Sequence, residues 1–268
     1  MIELVVLAVV LVILMGILLG LGIGITAKVF EVKQDPRIEQ VSEALPGANC
    51  GGCGLAGCTD LAKAIVAGTE TVEKCPVCSA EAAQMIAKIM GVEVAAGGVK
   101  KVAVVLCGGN NKVAKSTAAY NGINDCKSAV LVASGAKGCK HGCLGLGTCA
   151  RACPFGAIEI TEDGLAIVHP DLCVSCGKCV DTCPKNLIKL VPEPVKIHIL
   201  CSSPEKGPAK RKVCSVGCIC CMKCVKNAQE GQMEKKGFLV QVNYDNPPPP
   251  ELVEAAGCPT KCLVRTDA

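Results

Sequence analysis

Twenty-three of the 268 residues are cysteine, and their grouping limits what this chain can fold into more than any other feature. They fall in tight clusters separated by gaps of two to five residues, and proline repeatedly follows, as in Cys75-Pro76, Cys153-Pro154, Cys183-Pro184 and Cys258-Pro259. A disulfide scaffold and metal ligation are the two ways to use so much cysteine, and they separate by spacing and compartment. Short runs closed by Cys-Pro are the form taken by iron–sulfur ligands, and an odd total resists complete pairing. A zinc scaffold in the same groups is the third arrangement. Two tyrosines, three phenylalanines and no tryptophan leave little for an ordinary aromatic core.

Lys and Arg exceed Asp and Glu by 28 to 24. The excess is spread along the chain rather than gathered into a stripe, so nucleic acid is not an expected partner. His141, His169 and His198 stand apart from one another and read as surface or packing residues rather than ligands.

Leu4 to Ala27 carries no charge and is long enough to cross a hydrocarbon core of about 30 Å as a helix. A signal peptide would begin with basic residues and end at a small-residue cleavage site; this stretch begins Met1-Ile2-Glu3 and has no such site, so an uncleaved transmembrane helix over residues 1–28 is expected. Glu3 before it, and Lys28 and Lys33 after it, place the rest of the chain on the cytoplasmic side of the inner membrane as a single-pass protein. That reducing side also suits free thiolates. Gly16, Gly20 and Gly24 share a helix face, either as a close-packing surface for another membrane helix or simply because glycine is frequent in such helices. Gly20-Leu21-Gly22-Ile23-Gly24 lacks the strand and helix that a dinucleotide loop requires.

The expected fold class is α+β. A charged linker over 29–43 leads to a small helical [4Fe–4S] domain over 44–93, with helices at Asp60–Ala67 and Ala80–Met90. A two-cluster ferredoxin-like domain follows over 94–192, opening on a buried strand at Val102–Leu106, and a degenerate ferredoxin-like repeat occupies 193–268.

Three cysteine groups carry the chemistry. Cys50, Cys53, Cys58 and Cys75, set among glycines that let the backbone fold back on sulfur, complete one site and leave Cys78 spare. The second group has two halves, Cys139-x3-Cys143-x5-Cys149-x3-Cys153-Pro154 and Cys173-x2-Cys176-x2-Cys179-x3-Cys183-Pro184. In the two-cluster arrangement the fourth cysteine of each run crosses to the other cluster. The expected sets are therefore Cys139, Cys143, Cys149 and Cys183 for one, and Cys153, Cys173, Cys176 and Cys179 for the other. The third group emerges when the chain is laid on itself 75 residues along: Cys126, Cys139, Cys143, Cys149 and Cys183 fall on Cys201, Cys214, Cys218, Cys224 and Cys258, while Gly142 falls on Gly217 and Pro184 on Pro259. Cys153, Cys173, Cys176 and Cys179 fall on Ala228, Pro248, Glu251 and Glu254, so this copy has lost one site's ligands together. Its remaining site is assigned to Cys214, Cys218, Cys224 and Cys258, with Cys220, Cys221 or Cys262 as substitutes. The total is three [4Fe–4S] clusters and a fourth in the repeat. Cys107, Cys126 and Cys201 are left over as buried small hydrophobes, although Cys107 and Cys201 both end strand-like runs, which gives Cys201 a competing alignment.

The apolar N-terminus, the Cys50 motif, Tyr120-Asn-Gly-Ile-Asn-Asp-Cys126 and Gly138-Cys139-Lys-His-Gly-Cys143-Leu-Gly-Leu-Gly-Thr-Cys149 together resemble the B subunits of Rnf ferredoxin:NAD oxidoreductase complexes over residues 1 to about 190. The resemblance implies an electron-relay subunit with no catalytic pocket of its own. Soluble ferredoxin would be the donor, and other membrane subunits and flavin or iron–sulfur subunits the partners. A membrane-anchored polyferredoxin serving another reductase or hydrogenase is the alternative. Lys137, Lys140, Lys178 and Lys185 flank the motifs and are placed either to steer an acidic donor or to form a plain solvated face.

Overall fold

A computed structural model describes residues 2–29, 35–93 and 99–266. The chain opens with helix α1, Ile2–Val29, whose described side chains, Leu11, Val12 and Leu18 among them, are exposed. Counted over the described residues alone, no helix is long and apolar enough to cross a membrane. The side chains of α1 are described without a break only from Val10 to Thr26, about 25 Å of helix, and the expected span from Leu4 to Ala27 runs beyond them.

Much of the stretch expected as a linker is helix α2, Pro36–Ala44; its residues 30–34 lie outside the described ones. Asp35 caps α2 by accepting from the Arg37 N–H, and proline occupies the first turn, where its missing N–H costs nothing. Helices α3, Cys58–Val66, and α4, Ala80–Met90, complete the small domain. Val41 and Leu45 from the supposed linker are buried with Leu61, Ile65 and Ile86, so α2 is one wall of this domain.

Two copies of one fold follow. In the first, β1 (Lys101–Val105), α5 (Cys126–Leu131), α6 (Thr148–Ala152), β2 (Ile158–Ile160), β3 (Ala166–Val168), α7 (Lys178–Thr182) and β4 (Ile188–Pro192) run in order. Antiparallel β1–β4 pairing closes the ends, and β2–β3 forms an inner hairpin. The second copy comprises β5 (Ile197–Ile199), α8 (Gly207–Val213), α9 (Lys223–Asn227), β6 (Met233–Lys236), β7 (Leu239–Val242), α10 (Leu252–Ala256) and β8 (Leu263–Arg265). It repeats the pattern, with β5 on β8 and β6 on β7. Helix α9 begins and ends 75 residues after α6, as the self-comparison predicts. The first strand departs from that offset: β5 followed by Cys201 corresponds to β1 followed by Cys107, because the connection after the first strand is shorter in the second copy. Cys201 is thus the counterpart of Cys107 rather than of Cys126.

His198 on β5 is 1% exposed, the packing residue the sequence suggests. Its Nδ1 lies 3.2 Å from the Tyr244 hydroxyl. Burial, helped by Lys196, pulls its pKa down to about 4, so the folded chain holds the neutral ring. Stability from this site is therefore present above pH 6.5 and is lost as pH falls toward 4, with a cost of about 2 kcal/mol by pH 5. Denaturant unfolding at pH 7 and pH 5 is expected to show that extra acid loss in the native chain and not in His198→Gln.

Candidate metal centres

The thiols gather into separate cavities. Cys153, Cys173, Cys176 and Cys179 line one, the set expected from the motif. Cys126, Cys143, Cys149 and Cys183 line a second. The motif puts Cys139 there, but the structure brings Cys126 into that place and sets Cys139 on a third cavity with Cys107, Cys201 and Cys214. The reason is local. Asp125 caps α5 through the Ser128 N–H, and Thr148 at the start of α6 donates to Asp125 and accepts from the Cys126 N–H. This network ties the starts of α5 and α6 together, so Cys126 stands beside Cys149. The signal for it in the sequence is the Tyr120 to Cys126 segment, which spacing alone marks only as a family signature.

In the small domain the Cys75 thiol senses Cys58 and Cys50 and is approached by the Val77 and Cys78 N–H groups. Cys53, Cys58 and Cys75 pack on the same core, and Cys78 stands beside Cys75. In the second copy Cys218, Cys224 and Cys258 come together, and Cys262 joins them, its sulfur 3.6 Å from that of Cys258. Cys214, expected with this group, lines the third cavity instead. The loop preceding α9 retains the backbone of its counterpart: Gly145 and Gly147 have φ of 73° and 76°, and Cys220 and Met222, 75 residues on, have 56° and 63°. Holding a non-glycine residue in the left-handed region costs on the order of 1–3 kcal/mol, so this loop keeps its cysteine-presenting shape against its own residue preferences.

Burial is the largest influence on most of these thiols. It pushes Cys149 up to about 11 and Cys179 up to about 12, so ligation must displace protons. In the second copy, hydrogen bonding from Cys262 draws Cys218 down to about 6 and Cys258 down to about 4. Backbone N–H groups also point at sulfur, from Ala103 to Cys173 at 3.4 Å and from Cys143 to Cys107 at 3.3 Å. Among the described residues no group of three or more His, Cys, Asp or Glu closes around a single ion; the thiols instead stand apart around cavities. Four-thiol cavities with amides aimed at sulfur fit iron–sulfur cubanes.

Neighbouring sites adjoin: Cys149 and Cys179 are buried in one core, and the Cys143 N–H donates to the Cys107 sulfur at 3.3 Å. A Cβ on Gly52 would stand 2.7 Å from the Cys176 carbonyl oxygen, so the small domain meets the ferredoxin-like copy backbone to backbone.

The four flanking lysines do not form one exposed patch. Lys137 is 7% exposed, its Nζ donating to the carbonyls of Gly109 and Gly164. Lys185 donates to the carbonyls of Ser134 and Lys140. Lys178 is half-buried, which leaves Lys140 as the exposed one.

Residues 45–77 match a family described as a putative Fe-S cluster, and residues 138–187 match a 4Fe-4S dicluster domain. The chain is 51% identical, over 74% of its length, to the B subunit of the Na(+)-translocating ferredoxin:NAD(+) oxidoreductase complex of Acetobacterium woodii, of which it spans 59%. It is 40% identical to the B subunit of the ion-translocating oxidoreductase complex of Methanosarcina acetivorans, over 82% of this chain and 83% of that one. A similar protein of Clostridium ljungdahlii, the B subunit of a proton-translocating ferredoxin:NAD(+) oxidoreductase complex, is 38% identical over 71% of this chain and 67% of its own length.

Proposed function

Because the chain belongs to the family of B subunits of ion-translocating oxidoreductase complexes, we propose that it is the iron–sulfur electron-transfer subunit of a membrane-bound ferredoxin:NAD oxidoreductase complex, relaying single electrons from reduced ferredoxin toward membrane and flavin subunits. The observation that carries this reading is the contiguity of the cysteine sites, from Gly52 packed on Cys176, through Cys179 in one core with Cys149, to the Cys143 N–H on the Cys107 sulfur. A bound [4Fe–4S] cluster supplies one-electron oxidation and reduction at each site. The chain's own residues do the rest. Cys50, Cys53, Cys58 and Cys75 hold the first cluster, Cys126, Cys143, Cys149 and Cys183 the second, and Cys153, Cys173, Cys176 and Cys179 the third. Val105, Leu187 and Ile188 keep water from the second, and N–H groups stabilise the negative sulfur. Such a relay asks no residue to act as acid, base or nucleophile, and the nicotinamide chemistry falls to another component of the complex.

The apolar stretch from Leu4 to Ala27 anchors the chain in the cytoplasmic membrane in this reading. Exposed Leu, Val and Ile side chains along α1 suit lipid, and the charges flanking the stretch keep the cysteine domains on the cytoplasmic side. Rapid mixing of the anaerobic, cluster-loaded full chain with reduced ferredoxin is the test. Because ferredoxin regains its own visible absorbance as it is oxidised, the expected result is that the chain's reduced-cluster EPR signals rise in freeze-quenched samples of the mixing series as the ferredoxin signal falls. A chain that dithionite reduces but ferredoxin does not has a different donor.

A further inference from the structure

We infer that Cys107, Cys139, Cys201 and Cys214 hold a further [4Fe–4S] cluster, shared between the two ferredoxin-like copies at the pseudo-twofold junction where they meet. The inference rests on the reading that the cysteine groups bind iron–sulfur clusters. These four thiols line one cavity, as four thiols line each of the cavities at the Cys173 and Cys143 sites. The Cys107 and Cys214 sulfurs each stand 3.6 Å from the point a Cβ on Gly109 would occupy, close enough together to reach one metal–sulfur core. Cys139 senses both Cys201 and Cys214.

The site is built twice over. Cys107 follows β1 as Cys201 follows β5, and Cys139 with Gly142 corresponds to Cys214 with Gly217, so each copy contributes an equivalent pair. Equivalent bonds cross the junction in both directions. The Gly108 N–H donates to the Leu200 carbonyl at 3.0 Å, and the Ser202 hydroxyl donates to the Leu106 carbonyl at 2.8 Å. A separate antiparallel bridge between Ala114 and Cys214 also crosses it, the Lys115 N–H donating to the Val213 carbonyl and the Ser215 N–H to the Val113 carbonyl. Amides also face the thiols, from Gly109 and Cys143 to Cys107, from His141 to Cys139, and from Val216 and Gly217 to Cys214.

A second, independent observation points to an anion in this cavity. Lys137 and Lys210, 7% and 2% exposed, both line it. Lys137 donates to the carbonyls of Gly109 and Gly164, and Lys210 to those of Cys218 and Phe238, both at 2.8 Å. Among the described residues neither lysine forms an ion pair with a carboxylate. Of the two, the Lys137 ammonium bears on the Cys214 thiol of this cavity; a buried ammonium requires compensating negative charge, and four thiolates around a cubane carry it. The negative charge grows by one on reduction, so the Lys137 ammonium favours the reduced form and raises the potential of this site above what it would be without that charge.

The test uses the full chain, purified anaerobically, with iron, acid-labile sulfide and an EPR-monitored redox titration. Cys107→Ala and Cys201→Ala are each expected to lose about four iron atoms and the same EPR signal, and the double variant to lose no more than either alone. The surviving signals of the other sites report that the chain has folded. Cys218→Ala is expected to leave this signal in place, and Lys137→Met to keep the iron while moving the potential of this one signal downward. Full iron in both cysteine variants, or twice the single loss in the double variant, would overturn the shared site. An unmoved potential in Lys137→Met would do the same if the cysteine variants unfold. A native chain with no iron at all would instead overturn the broader reading.

Discussion

Cys126→Ala is expected to lose one cluster, about four iron atoms per chain, and a double variant with Cys139→Ala is expected to lose about eight. The motif alone, with its crossed fourth cysteine, would assign Cys139 to the site of Cys143, Cys149 and Cys183 and leave Cys126 as a buried hydrophobe. The structure puts Cys126 on that cavity through the Asp125–Thr148 bond of 2.8 Å and the Cys126 N–H to Thr148 bond of 2.7 Å, and turns Cys139 to the junction. If both cysteines served one cluster, the double variant would lose only four, and iron analysis against acid-labile sulfide separates the two results. Cys78→Ala is the control, with iron unchanged.

Gly52→Val is expected to slow electron transfer between the small domain and the first ferredoxin-like copy while leaving the iron content intact. A Cβ there would lie 2.7 Å from the Cys176 carbonyl oxygen and 3.2 Å from Pro76 Cγ; the first is a backbone atom inside a ligand loop and cannot swing aside. Overpacking of this kind costs about 1–3 kcal/mol, a factor of about 5 to 150 in the population of the docked arrangement. Rapid-freeze EPR of the reduction of the Cys50 and Cys173 sites measures the slowing. An unchanged rate would mean that electrons reach the small domain without this contact.

Much of the molecule is legible from residue spacing because cluster ligation is local. The runs Cys50–Cys58 and Cys173–Cys183 concentrate ligands within a few turns of chain, and α4 occupies the very residues, Ala80–Met90, that its periodicity marks. The self-comparison is legible for the same reason: α9, β6 and β8 begin 75 residues after α6, β2 and β4. The linker reading of 29–43 missed α2 because a charged surface gives no sign of the single apolar stripe, Val41 with Leu45, that the small domain buries. The lysines beside the motifs look like a surface patch in the sequence. Lys137 is buried because two carbonyls, those of Gly109 and Gly164, converge on its ammonium from distant loops.

The sequence by itself determined the chemistry, a chain of thiolate sites in repeated ferredoxin-like units behind an apolar N-terminal stretch, because that chemistry is written in short-range cysteine spacing. Only the tertiary structure decided which thiols share a cavity. Cys107, Cys126 and Cys201 are isolated in sequence, and their partners lie in other runs of the chain, brought near by β1–β4 and β5–β8 pairing and by the bonds that join the two copies. Spacing counts residues along one run, whereas a cluster is filled by whatever sulfurs the packed strands bring to the same cavity.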